Sequence, residues 1–128
     1  MSYYFAKKVE GDFEEVIEKI NTALQDEGFG VLMDINIQET LKTKLGVDFR
    51  KYRILGACNP PFALKALEAE DKIGAMLPCN VVVQQTKDDK VEVAAINPVQ
   101  SMISVGNKQL NEIATEIGNK LQRAINNL

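Results

Sequence analysis

The side chains able to do chemistry in this chain gather between positions 53 and 80. The run Arg53-Ile-Leu-Gly-Ala-Cys58-Asn59-Pro60 is followed, about 20 residues later, by Leu77-Pro78-Cys79-Asn80. Two Cys-Asn pairs thus flank one predicted helix. Cys58 stands just before that helix, where the positive end of the backbone dipole favours a thiolate. Cys79 opens the following strand. Two thiols that meet can form a redox dithiol, with Cys58 as nucleophile and Cys79 as resolving partner. They can also begin a soft-metal site, with Met76 or Met102 as thioether neighbours. The spacing is not that of a CxxC motif, and free cysteines are commonly small buried apolar residues. Two inert core thiols fit the same residues.

Whether the cysteines meet depends on the elements between them. Asn59 suits an N-cap and Pro60-Pro61 suit a first helical turn, so a helix is predicted to run to about Asp71. Such a helix travels roughly 18 Å, and a parallel crossover would leave Cys79 at the opposite end of the sheet from Cys58. Only if residues 73–78 run back along the helix, reaching about 20 Å when extended, do the two come together.

Arg53 belongs to a second cluster. Lys42, Lys44, Arg50, Lys51 and Arg53 place five positive charges in twelve residues. An anion site led by Arg53 toward the helix start at Asn59 is one reading. A solvated face partly neutralised by Glu39 and Asp48 is the other. On a regular strand Arg53 alternates to the opposite face from Cys58.

Much chemistry is excluded. The 128 residues contain no His and no Trp. Ser–His–Asp triads, Cys–His dyads, imidazole bases and His-ligated zinc or non-haem iron therefore have no residues to use. The formal charge of −3 argues against a dedicated nucleic-acid binder, which normally presents a strongly basic face. Glu14, Glu15 and Glu18 lie at helical spacing opposite an apolar stripe and read as wet surface. Gly28-Phe-Gly30 reads as a helix stop, not a phosphate loop.

Around these residues the periodicity is readable. Residues 2–9 suit a first strand. Asp12 begins a helix with Phe13, Val16, Ile17, Ile20 and Leu24 on one face, ended by Gly28. Phe29, Val31, Met33, Ile35 and Ile37 then alternate as the buried side of a strand. A short helix over 39–45 is predicted to turn Leu41 and Leu45 inward, and 50–57 reads as another strand. Val81–Gln85 and Val91–Ile96 flank a turn at Lys87–Lys90 and form a hairpin. An irregular stretch to Gly106 precedes a long helix from Asn107 to about Asn127. Gly118, within it, leaves room for another backbone. The mixture, with a tight hairpin and no strict βα alternation, predicts α+β: a mostly antiparallel sheet with helices packed on one face.

The segments Arg53-Ile-Leu-Gly-Ala-Cys-Asn-Pro-Pro-Phe-Ala, Leu77-Pro-Cys-Asn-Val-Val-Val and Asn97-Pro98 together resemble the bacterial and archaeal domain-of-unknown-function family 302. The resemblance implies a single α+β domain similar to the TATA-binding-protein-like fold, often a homodimer. It implies no activity and no cofactor. Cys58, Asn59, Pro60, Pro78, Cys79, Asn80, Asn97 and Pro98 match the family's motif positions, with no role attached to any of them.

The resulting expectations are specific. Residues 1–128 form one cytoplasmic domain without signal peptide, membrane span, cofactor or metal. It is a homodimer that binds a small ligand or a protein partner, with no nucleic-acid or membrane partner. The site lies near Cys58-Asn59-Pro60 and Pro78-Cys79-Asn80, with Arg53 as a further candidate. A thiol-based redox or sensor protein using Cys58 and Cys79 is the alternative.

Overall fold

A computed structural model of the protein describes residues 2–128. Five strands, β1 (Tyr4–Val9), β2 (Gly30–Asn36), β3 (Tyr52–Cys58), β4 (Cys79–Gln85) and β5 (Val91–Ile96), form one sheet in the order β1-β5-β4-β3-β2. Every neighbouring pair is antiparallel. Strands β2 to β5 meander in sequence order, and β1 adds to the free edge of β5.

The helices are α1 (Phe13–Asp26), α2 (Ile37–Leu45), α3 (Pro60–Ala69), α4 (Pro98–Ser101) and α5 (Lys108–Asn126). The apolar stripes of α1 and α5 lie on one face of the sheet, as their spacing requires. Val16, Ile20 and Leu121 are fully buried there and Ile117 nearly so. They meet Leu55, Val81, Val83, Val91 and Val93 from the strands. The Asp12 side chain accepts from the Glu14 amide at 3.2 Å, satisfying one free N–H at the start of α1. A smaller core of Ala66, Ile73, Met102, Leu110 and Ala114 lies between α3, α5 and a 3-10 turn at Ile73–Met76.

Three sequence expectations fail locally. The alternation read from Phe29 to Ile37 is broken by a β-bulge: Val31 lies opposite Ala57 but Met33 lies opposite Gly56, leaving Leu32 as the extra residue. A one-residue slip exchanges the two faces, so Met33 and Ile35 leave the helix-covered side and stand exposed. Helix α2 buries no residue, and Leu45 is 69% exposed where an inward position was expected. The helix lies at the sheet edge against β3, outside both cores. At Gly118 the close neighbour is the Pro98 ring, 3.7 Å from where a Cβ would stand, and not another backbone.

Among the described residues no helix layer covers the opposite face of the sheet. Tyr4, Met33, Ile35, Ile54, Val82, Ala94 and Ile96 present apolar side chains there, all exposed or half-buried.

Candidate functional site

The chain leaves β3 at Cys58, runs out along α3 and returns through the 3-10 turn and Leu77-Pro78 into β4. Because β3 and β4 are antiparallel neighbours with Ala57 opposite Cys79, both cysteines lie at the same end of the sheet. The return path through residues 73–78, on which their meeting depended, is the one taken.

Asn59 sits at the N-cap position of α3, but its side chain does not cap the helix. Pro61 removes the N2 amide, one of the two from which a cap accepts, and the N3 amide of Phe62 is not engaged by the side chain. The Asn59 amide nitrogen instead donates to the Glu27 carbonyl at 3.2 Å, tying the start of α3 to the end of α1. Asn59 is only 7% exposed. Gly28, at φ +87°, passes so close that a Cβ there would stand 3.2 Å from the Asn59 Nδ2. Glycine serves both demands at once, a left-handed backbone and a tight approach.

Beyond this corner lies a cavity of about 310 Å³. Its walls draw on both cores: Phe29, Ala57, Cys79 and Ile117 from the main one, Ala66, Met102 and Ala114 from the smaller. It is the seam where the two cores fail to merge. The small side chains Ala63 and Ala66 on α3, facing Ala114 on α5, leave the space unfilled. Exposed Leu32, Leu67 and Gly74 form the rim. Leu32 is the bulge residue, so the bulge that breaks the alternation also supplies part of the mouth. Apart from Asn59, the lining side chains are apolar or thiol.

The candidate residues divide. Cys58, Asn59, Pro78 and Cys79 line the cavity. Pro60 lies in the exposed first turn of α3. Asn80 points to the uncovered sheet face, in a neighbouring depression of about 400 Å³ that Pro78 and Cys79 also border. Arg53 lies at the other end of β3, away from the cavity. Its guanidinium binds both carboxylate oxygens of Asp34 and reaches Glu14 at 3.4 Å. The Asp34 hydrogen bond holds the guanidinium pKa above its ordinary value, against the opposing effect of burial. Arg53 is thus neutralised by two carboxylates, and it does not lead an anion toward Asn59. Its place is set by register: Arg53 shares the helix-covered face with Leu55, and the bulge turns Asp34 to that same face.

Cys58 is half-buried and Cys79 buried, both as free thiols. Burial first, and the nearness of Cys58 second, push the Cys79 thiol up to about 11. Among the described residues no third His, Cys, Asp or Glu joins them to complete a metal-binding set. That Phe62, Ala66, Ile117 and their neighbours enclose a void was not readable in the sequence. The facing alanines on α3 and α5 are the signal that bears on it.

The family model described as "Domain of unknown function DUF302" matches residues 5–128. A crystal structure of an uncharacterized conserved DUF302 protein from Bacillus stearothermophilus is similar at 30% identity and TM-score 0.93. The match covers 99% of this chain and 98% of that one. No curated protein matches. The chain belongs to the DUF302 family.

Proposed function

We propose that this domain holds a small apolar molecule in the cavity between β3, α3 and α5, and that it does so as a homodimer joined through the uncovered face of its sheet. The observation that carries the reading is the cavity itself, about 310 Å³ and open at an apolar rim. Protein interiors are normally packed without such space, and ligand sites begin at about 300 Å³ with mostly apolar walls. An apolar guest would join the two cores across the seam and bury surface that the empty fold leaves unpaired.

The dimer follows from the other side of the sheet. The face is apolar across Met33, Ile35, Ile54, Val82, Ala94 and Ile96, with Asn80, Gln84 and Glu92 set among them. Exposed apolar surface of this extent commonly marks an interaction site. A second copy presents the same near-neutral surface about a two-fold axis, so the face needs no charged complement.

Titration with naphthalene, followed by fluorescence, tests the ligand reading. The native chain binds it saturably, and Ala66→Phe, which fills the cavity from α3, does not. Absence of saturable binding, or equal binding by the filled variant, removes the reading.

Two thiols on one cavity wall also support a second reading, in thiol chemistry. Hydrogen peroxide would take two electrons and two protons from Cys58 and Cys79, leaving a disulfide and two waters. The high pKa of Cys79 weighs against it, since a resolving thiol reacts as its thiolate. A mass decrease of two hydrogens on mild peroxide treatment would place this reading first; unchanged free thiols would eliminate it.

A further inference from the structure

Within the cavity, one polar atom has no partner. The Asn59 amide must present its nitrogen to Glu27, because a carbonyl oxygen accepts only from a donor. The same orientation turns the nitrogen toward Gly28. The oxygen Oδ1 is thereby directed away from both, and among the described residues it accepts no hydrogen bond: α3 offers no side-chain cap contact, and Nδ2 makes the one hydrogen bond of this side chain found among them. Asn59 is more than nine-tenths buried, yet it lines the cavity. The oxygen keeps accessible surface, so water can meet it in the empty cavity. A guest that covers it without donating a hydrogen bond leaves it unsatisfied, which is costly. Every other side chain around it is apolar or thiol.

We infer that the guest is a small aromatic or alicyclic molecule carrying one hydrogen-bond donor, a phenolic hydroxyl or a ring N–H, which it gives to the Asn59 Oδ1. The inference rests on the cavity reading above and adds the polar half of the recognition. An acid or an amine does not fit, because a charge would enter walls that offer neither a counter-ion nor a second polar group. A fused bicyclic ring does fit: a cavity of about 150 Å³, roughly half this volume, already holds benzene.

Three probes of closely similar shape separate the two parts. 2-Naphthol carries a donor, 2-methoxynaphthalene only an acceptor, and 2-methylnaphthalene neither. Calorimetric titration of the native chain is expected to show 2-naphthol binding about five- to tenfold more tightly than 2-methoxynaphthalene, the worth of one neutral hydrogen bond. In Asn59→Ala that preference disappears while 2-methylnaphthalene still binds, which also reports that the cavity has survived the substitution. Equal affinity of the native chain for 2-naphthol and 2-methoxynaphthalene overturns the inference and leaves the apolar cavity reading standing. So does a preference unchanged in Asn59→Ala. If the native chain binds none of the three, the cavity reading falls and takes this inference with it.

Discussion

Gly56 and Pro78 pack so closely that a Cβ on residue 56 would stand 2.7 Å from the Pro78 Cγ. The contact fixes the return path into β4, because Gly56 lies in the middle of the sheet, opposite Asn80. Met33 closes the other side, with its Cε 3.1 Å from the same point. Glycine is there for lack of a side chain, not for an unusual backbone. Gly56→Ala is therefore expected to lower stability by about 1–3 kcal/mol, the cost of overpacking a filled site. It also displaces Pro78 and Cys79, two residues of the cavity wall. Urea unfolding measures the first effect and probe affinity the second; an alanine variant as stable as the native chain would show that the Pro78 ring moves aside freely.

At the opposite end of β3, Arg53 serves structure. Its side chain is only 19% exposed and holds Asp34 through two hydrogen bonds, with Glu14 at 3.4 Å. Arg53→Ala leaves the Asp34 carboxylate on the helix-covered face without its partner, at an expected cost of about 1–2 kcal/mol. Arg53→Lys restores little of it, since an ammonium cannot make the paired contact. Naphthalene affinity stays as in the native chain for both variants. Thermal melts and titrations check the two halves separately, and a loss of affinity would return Arg53 to the site.

The two pairs of residues show what was legible in the chain. The stripes of α1 and α5 were readable because one substitution-tolerant rule, burial every third or fourth residue, decides them. The α+β class and antiparallel sheet followed from the same patterns. The face of Met33 and Ile35 was not readable, because a single unpaired residue at Leu32 reverses the alternation and carries no mark in composition. Cys58 and Asn59 stood out by their position before a helix. The role of Asn59 did not, because its partner, the Glu27 carbonyl, is a backbone atom 32 residues away. The cavity depends on volumes summed over several elements, which no local pattern encodes.

The uncovered sheet face makes a test of assembly. Ile54 is half-buried at its centre, beside Val82 on the neighbouring strand. Ile54→Lys places a charge where a second copy would lie. Light scattering is expected to give twice the chain mass for the native protein and the single-chain mass for the variant, with the melt little changed at high dilution. A native monomer at high micromolar concentration would refute the dimer.

Cys79 gives the pH dependence. Its thiol titrates at about 11 in the folded protein against an ordinary value of 9.0. Between those values the native chain keeps a proton that the unfolded chain has lost. Because stability falls with rising pH wherever the folded state binds more protons, the contribution of Cys79 is fully present below pH 9 and is lost as pH rises toward 11. The total for this group is about 3 kcal/mol, from roughly 1.4 kcal/mol for each of two pKa units. Urea denaturation of the native chain across that window should therefore slope downward, and Cys79→Ala should remove that part of the slope while lowering stability throughout for the lost packing. Labelling carries the same sign. Iodoacetamide reacts with thiolates, so native Cys79 is expected to stay unmodified near neutral pH, to react only toward pH 11, and to become reactive at neutral pH once urea opens the fold. Fast modification of Cys79 in the native protein at pH 7 would mean that the cavity wall opens to solvent, and that the thiol chemistry outranks the bound apolar guest.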